Sequence, residues 1–233
     1  MLLGSMWFVV IGGAENKGKQ VDIVLWLDYA GVAVFAATGA LAASRKQLDF
    51  IAFLFLAAAT GIGGGTLRDT ILGQTPVFWV EEHVYLLICA GTGAVVFFTA
   101  HRFESRYKVL LWLDAIGMAV FSVKGAEIGF LATGSSSVAI VTGILTATFG
   151  GVLRDILSGE QSVLMRREIY VTAALFGAVA WVLSYHAGLG NVIGSVLGFL
   201  VAFSIRGGAL YYGWNLPTYK SKPGRTMEEI EKL

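Results

Sequence analysis

The sequence predicts an all-α integral membrane protein with seven transmembrane helices, arranged as two inverted three-helix repeats plus a seventh helix. Three observations carry this. The 233 residues are 56% hydrophobic and only 14% charged, whereas soluble domains carry about 25% charged residues, and the mean hydropathy is +0.71. Apolar stretches close to the roughly 20 residues that cross a bilayer as a helix recur along the chain. A long segment also returns later in the chain at a fixed offset.

The seven spans fall at about 25–44, 50–72, 84–100, 109–131, 137–157, 169–186 and 191–210. They are too long and too evenly apolar for barrel strands, and in lipid only helices or closed barrels satisfy their own backbone groups. Residues 1–21 read as an N-terminal extension: "MLLGSMWFVVIGG" is too short to span and lacks the basic flank of a signal peptide. Short loops join the spans into one membrane domain over about 22–210, and residues 211–233 form a polar tail expected to be helical from Met227.

The repeat fixes the architecture. "WLDYAGVAVFAATGA" at 26–40 returns as "WLDAIGMAVFSVKGA" at 112–126, an offset of 86 residues. The same offset carries Gly64-Gly65 onto Gly150-Gly151, Leu67-Arg68-Asp69 onto Leu153-Arg154-Asp155, Gly73 onto Gly159, Glu82 onto Glu168 and Gly91 onto Gly177. The first repeat covers about 22–101, the second about 108–187, and the seventh helix follows at 191–210. An odd number of spans per repeat starts the second copy on the opposite side of the membrane, which gives the inverted arrangement of many transport proteins. With the N-terminus outside, Arg45, Lys46, Arg102, Arg106, Lys108, Arg166, Arg167, Lys220, Lys222 and Arg225 fall inside, as the positive-inside rule requires. Lys17 and Lys19 run against it. The C-terminus is then cytoplasmic and the protein multi-pass in the cell (inner) membrane.

The candidate site lies in "GIGGGTLRDTILG" at 61–73 and its copy around Gly150 and Gly151. Glycine costs about 1 kcal/mol relative to alanine inside a helix, so Gly61, Gly63, Gly64 and Gly65 are expected to break the second span, and Gly150 and Gly151 the fifth. Freed backbone in a bilayer is tolerated only against protein or a water-filled cavity. Close helix packing through small residues is the alternative reading. The hydroxyls of Thr60, Thr66, Thr146 and Thr148, with freed carbonyls, would then supply weak oxygen ligands to a permeating cation. Phe149 stands where the first copy has Gly63, which makes that break milder or that point an apolar constriction.

Arg68, Asp69, Arg154 and Asp155 are intramembrane charges that need partners. Adjacent helical residues do not face each other, so the copies are expected to cross-pair, Arg68 with Asp155 and Arg154 with Asp69. Lys124 breaks the symmetry, its counterpart being Thr38. It reads either as a positive barrier in a pore or as a local partner of Glu127. Asp28 and Asp114 follow the interfacial tryptophans Trp26 and Trp112 and read as helix caps or pore-mouth residues. Gly190, Gly194 and Gly198 form a packing stripe on the seventh span, and Cys89 is a small packing residue.

Several functions are excluded. A net charge of +1 without a basic cluster gives no electrostatic basis for a nucleic-acid partner. No nucleophile elbow or phosphate loop is present, and His83, His101 and His186 have no ligand spacing, so neither an enzyme, a cofactor nor a metal is expected.

Two three-helix repeats, each with a glycine cluster followed by Leu-Arg-Asp ("GGGTLRDTILG" and "GGVLRDILSG"), and a seventh helix resemble the prokaryotic branch of the trimeric intracellular cation (TRIC) channels. The resemblance covers about 22–210. It implies a homotrimer embedded in membrane lipids, with one hydrophilic pore per protomer for monovalent cations, chiefly K⁺. The family's kinked second and fifth helices carry over onto Gly63, Gly64 and Gly65, and onto Gly150 and Gly151. No TVGYG-type filter is present, so strong selection of K⁺ over Na⁺ is not expected. The rival reading is a secondary transporter of a small zwitterion such as glycine, for which inverted repeats are equally suited and in which Arg68 or Arg154 would hold a carboxylate.

Overall fold

The computed structural model describes residues 17–165 and 169–217. Within them the helices are α1 (Lys17–Arg45), α2 (Phe50–Ile71), α3 (Phe78–Glu81), α4 (Val84–Thr99), α5 (Arg106–Thr133), α6 (Ser136–Leu157), α7 (Val171–His186) and α8 (Asn191–Tyr212). Six are long and apolar enough to cross a membrane, α7 is a shorter apolar helix, and α3 is a single turn between α2 and α4. Among the described residues α1 already includes Lys17–Val21, part of the segment expected to be an extension, ahead of its apolar stretch from Leu25. Arg166, Arg167 and the tail from residue 218, with its expected helix, lie outside the described residues.

Helix ends follow from local chemistry. Asp49, Ser105 and Ser135 accept hydrogen bonds from the N–H groups of Ala52, Lys108 and Val138 at the starts of α2, α5 and α6, each satisfying one orphan donor. Asp28 and Asp114, expected as caps, lie well inside α1 and α5 instead. Both repeats stop their second helix identically. Gly73 and Gly159 take left-handed φ values of 66° and 64°. The next N–H groups, of Gln74 and Glu160, then reach back 2.8 Å to the carbonyls of Asp69 and Asp155, a stop that glycine makes without strain.

The repeats are inverted in space. α1 lies antiparallel to α5: a Cβ on Gly31 would meet Val120 and Phe121, while one on Gly117 would meet Phe35. α2 crosses α6 in the same antiparallel sense. A Cβ on Gly64 would overlap the Thr146 carbonyl oxygen, and a Cβ on Gly150 would overlap the Thr60 carbonyl oxygen; these are the two symmetry-related copies of one contact. The same pairing recurs one layer out, where Gly39 lies against Leu56 and Thr60, and Gly125 against Thr142 and Thr146.

The glycines therefore pack helices instead of breaking them: α2 and α6 run unbroken through their glycine clusters. The expected break does not occur because the backbone-to-backbone crossing offsets the weak helix propensity of glycine, as at small-residue interfaces in membranes. Nor do the threonines present free donors. Thr60, Thr66, Thr146 and Thr148 each donate to the carbonyl four residues back, Leu56, Ile62, Thr142 and Ile144, at 2.6–2.8 Å.

The offset slips by one residue in the third helix. Ala57 packs on Gly93 in the first copy, and its counterpart Gly143 packs on Ala178 in the second. Tyr85 therefore corresponds to Tyr170, and Gly91 is not the structural equivalent of Gly177. Gly91 faces open space, whereas Gly177 is pressed against Ala202, Ser122 and the Gly198 carbonyl of α8. α8 lies mainly on α5 and α7, with Gly194 against Ser184 and Gly198 against Val123, while Gly190 serves a turn at φ 79°.

This geometry predicts that Gly64→Ala and Gly150→Ala each destabilise the protein by about 1–3 kcal/mol, the usual cost of overpacking, whereas Gly91→Ala is neutral. Thermal unfolding in detergent measures it; equal midpoints for all three variants would contradict the close crossing.

Candidate functional site

At the last turn of each second helix the Leu-Arg-Asp segment forms a clasp. Arg68 Nε and Nη2 both donate to Asp69 Oδ1, at 2.8 and 2.7 Å, and Asp69 Oδ2 accepts from the Phe78 N–H at 2.9 Å. Arg154 Nε donates to Asp155 Oδ1 at 2.9 Å, and Asp155 Oδ2 accepts from the Val163 N–H at 2.8 Å. Each aspartate thus ties the returning loop to its own helix. The expected cross-pairing between copies does not form, because at a helix end the long guanidinium folds over onto its neighbour. All four side chains are buried, with Arg68 6% and Arg154 1% exposed, so none reaches headgroups.

Beyond the clasps the two ends differ. At the Asp114 end, Arg154 Nη1 donates to Asp114 Oδ1 at 2.7 Å and to Thr38 Oγ1 at 3.2 Å, and the Tyr170 hydroxyl lies 3.5 Å from the same Asp114 oxygen. Arg206 lies over the Tyr170 ring at 5.1 Å and donates to the Ile169 carbonyl. Arg154 thus has two carboxylates, while Asp114 Oδ2 is buried with no hydrogen-bond partner among the described residues.

At the Asp28 end the equivalent arginine and aspartate stay apart. Asp28 Oδ2 accepts from the Tyr85 hydroxyl at 2.5 Å, and among the described residues Arg68 has its one ion pair with Asp69. Between them lies a cavity of about 90 Å³ walled by Asp28, Val32 and Phe35 of α1, Gly61, Gly64, Gly65 and Arg68 of α2, Phe78, Tyr85, Phe121, Ile128 and Thr146. Two substitutions between the repeats account for the difference. Phe78 replaces Val163, and its ring covers Gly65 at 2.5 Å and sits 5.7 Å from the Arg68 guanidinium; over Gly151 that place belongs to the Tyr170 hydroxyl and Asp114. Lys124 replaces Thr38, so the hydroxyl that accepts from Arg154 has a cation as its counterpart.

Of the residues singled out in the sequence, Asp28, Gly61, Gly64, Gly65, Arg68 and Thr146 come together around the cavity. Thr60, Gly63 and Gly150 belong to the α2–α6 crossing, where a Cβ on Gly63 would strike Leu153 at 2.6 Å. Gly151 lies under Tyr170, and Thr66 accepts from Trp79 Nε1 at 2.9 Å. Asp69, Arg154 and Asp155 are held in the clasps. Lys124 is half-buried on α5 between Phe121 and Ile128 and makes no ion pair among the described residues. Its expected partner Glu127 accepts instead from Asn191, drawn there by the start of α8. Phe149 is not a wall of the cavity. Tyr85 and Phe78 escaped sequence reading because an ungapped offset paired them with Val171 and Leu164.

The family described as glycine transporter matches residues 25–101 and again 111–186, one match per repeat. A UPF0126 membrane protein of Vibrio cholerae is 36% identical over 206 residues, covering 88% of this chain and 86% of the relative. The inner membrane protein YadS of Escherichia coli is 34% identical over 199 residues, covering 84% and 96%. Among solved structures, a TRIC channel orthologue from Rhodobacter sphaeroides superimposes with a TM-score of 0.80 at 49% identity, over 82% of this chain and 99% of that one. A second TRIC cation channel does so with a TM-score of 0.77 at 29% identity, over 85% and 98%. These relatives are membrane proteins and channels, not enzymes. With both repeats matched and the whole bundle superimposed, the chain belongs to the TRIC/UPF0126 family of membrane proteins.

Proposed function

We propose that the protein is a K⁺-permeable monovalent-cation channel, assembled as a homotrimer with one pore in each protomer. The observation that carries this is the cavity beside the α2–α6 crossing, which places Asp28, Arg68 and Thr146 inside a membrane bundle; ionisable groups at such positions mark ion or substrate paths. The likeness to solved TRIC cation channels supports the reading. The path runs from the cavity along Gly64, Gly65 and Thr146, passes beside the close α2–α6 contact made by Thr60, Gly63 and Gly150, and continues past Gly151 to the Asp114 end, where the Arg154 cluster closes it. The permeating ion, K⁺ or Na⁺, is the only inorganic partner, and no cofactor takes part. The protein lies in the cell membrane with its N-terminus outside and its C-terminus in the cytoplasm. That orientation puts the Asp28 cavity on the outer side and the basic residues Arg45, Lys46 and Arg106 inside.

The family's description as a glycine transporter keeps glycine carriage as the rival. Purified protein in planar bilayers under a KCl gradient separates the two: unitary current steps support the channel, and slow saturable glycine uptake without steps overturns it. In the same bilayers, Lys124→Thr is expected to raise unitary cation conductance about two- to tenfold, because one partly buried positive charge on the cavity side of α5 repels the permeating ion by roughly 0.5–1.4 kcal/mol. It is also expected to weaken voltage dependence, since a charge crossing the full field is worth about 2.3 kcal/mol per 100 mV. Unchanged conductance and gating would remove Lys124 from the path.

A further inference from the structure

We propose that the groove between the start of α5 and the end of α8 is a docking site for an anionic phospholipid, with one acyl chain in the groove and the phosphate on Lys108. The site belongs to the lipid-facing surface of the bundle and is independent of what the protein conducts.

The groove is formed by missing side chains between aromatic rims. α8 carries two successive glycines, Gly207 and Gly208. The Trp112 ring of α5 stands 3.3 Å from the place of a Gly207 Cβ, and Trp214 comes within 2.9 Å of that of Gly208. The Trp214 N–H bonds the Ala209 carbonyl at 3.2 Å, which holds the chain in its return after α8. Phe203 packs beside Trp112 with ring centroids 6.3 Å apart, and Tyr212 stacks on Trp214 at 5.5 Å. The space left is about 380 Å³ and opens to the outside of the bundle.

Its length matches one leaflet. From Phe203 to Tyr212 α8 advances roughly 13 Å at 1.5 Å per residue, against about 15 Å for half of a 30 Å hydrocarbon core. The groove ends among Tyr211, Tyr212 and Trp214, which are 76%, 68% and 48% exposed. Tyrosine and tryptophan, with an apolar body and a polar tip, are the side chains of the membrane–water boundary. An apolar slot that runs from headgroup level to mid-membrane has the shape of a single acyl chain hanging from its headgroup.

Lys108 selects the headgroup. It lies four residues before Trp112, on the same face of α5 and one turn nearer the helix start. α5 and α8 run antiparallel, since Gly198 meets Val123 while Gly207 meets Trp112, so that turn is level with the end of α8. Lys108 is exposed and makes no ion pair among the described residues. Arg106 instead turns to the carbonyls of Ala100 and Ser44. A lysine stem lies along apolar surface while its ammonium reaches the headgroups. Lys46 and Arg102, exposed at the adjoining helix ends, add to a basic level of the bundle, and such a level favours an anionic leaflet. A second copy of the chain seated here would have to bring an acid to Lys108, whereas an anionic lipid brings its own.

The test is native mass spectrometry of the purified full-length protein titrated with phosphatidylglycerol, and with phosphatidylcholine of the same acyl chains. The expected result is phosphatidylglycerol bound about fivefold more tightly, the effect of one lysine at a membrane surface. Lys108→Gln is expected to bring the two lipids level, and Lys46→Gln to leave the preference intact. Gly208→Leu, which fills the floor of the groove, is expected to weaken both lipids; if that variant does not fold, the two lysine variants decide. Equal affinity of the wild type for the two lipids overturns the inference, as does an equal loss of preference in Lys108→Gln and Lys46→Gln. A Gly208→Leu protein with unchanged lipid binding but an altered number of subunits also overturns it, by giving the groove to a second copy.

Discussion

The bundle depends on one repeated contact, the approach of a glycine on one helix to the backbone carbonyl of a threonine on its inverted partner. Gly64 under Thr146 and Gly150 under Thr60 bring α2 and α6 together with no side chain between them. In lipid no hydrophobic force drives helices together, so van der Waals contact of this closeness is a main source of association. The crossing also holds the outer layers. Thr60 and Thr146 are the same residues against which Gly39 and Gly125 press, so α1 and α5 are seated by the threonines that seat α2 and α6. Each of these threonines folds its hydroxyl back onto its own helix, Thr60 onto Leu56 and Thr146 onto Thr142. The polar group is thereby satisfied locally and the small methyl-bearing surface is left for packing.

Around this symmetric centre the two halves diverge, and few side chains are involved. The clasps are the same in both copies: an arginine and aspartate at the helix end, a left-handed glycine, and a loop N–H bonded to the aspartate. Beyond them, the larger Phe78 ring occupies the space over Gly65 that Asp114 and the Tyr170 hydroxyl occupy over Gly151. Arg68 and Asp28 are held apart, while Arg154 and Asp114 meet. Buried charges in a membrane are tolerated when paired; at the Asp114 end Arg154 pairs with two carboxylates, while Asp114 Oδ2 is buried with no hydrogen-bond partner among the described residues. The Asp28 end meets that requirement in part, through Asp69 and Tyr85, and the remainder takes the form of a polar cavity.

Much of this was legible in the sequence. The apolar spans gave the helices, and the repeated "WLD" and "LRD" segments gave the inverted duplication, because both properties are local and periodic. The glycine clusters lie at the α2–α6 crossing, where propensity predicted a break and tertiary packing makes a close contact instead. A single chain of residues cannot reveal what lies opposite Gly64; that depends on a partner 82 residues away, Thr146. The cross-pairing of charges failed for a related reason. The rule that adjacent helical residues do not face each other holds within a helix, and Asp69 and Asp155 sit where the helix ends and the loop turns back. The cavity's Phe78 and Tyr85 were hidden by a loop one residue shorter in the second copy, which leaves the flanking glycines and Leu-Arg-Asp segments in register while shifting every residue after it.

That one-residue shift has a consequence for how a duplicated membrane protein acquires direction. Two perfectly equivalent halves would present the same surface to both sides of the membrane, and any path through them would have identical mouths. Here the shorter loop brings Val163 where the longer one brings Phe78, and a lysine stands opposite a threonine across the pseudo-two-fold. Neither change touches the glycine–threonine crossing, so the scaffold tolerates them at no cost to the central packing. The result is one end where an arginine meets two carboxylates and another where Arg68 and Asp28 wall a small cavity. A symmetric core whose chemistry varies at its two ends distinguishes one face of the bundle from the other, even though the varied positions Thr38 and Val163 are themselves buried.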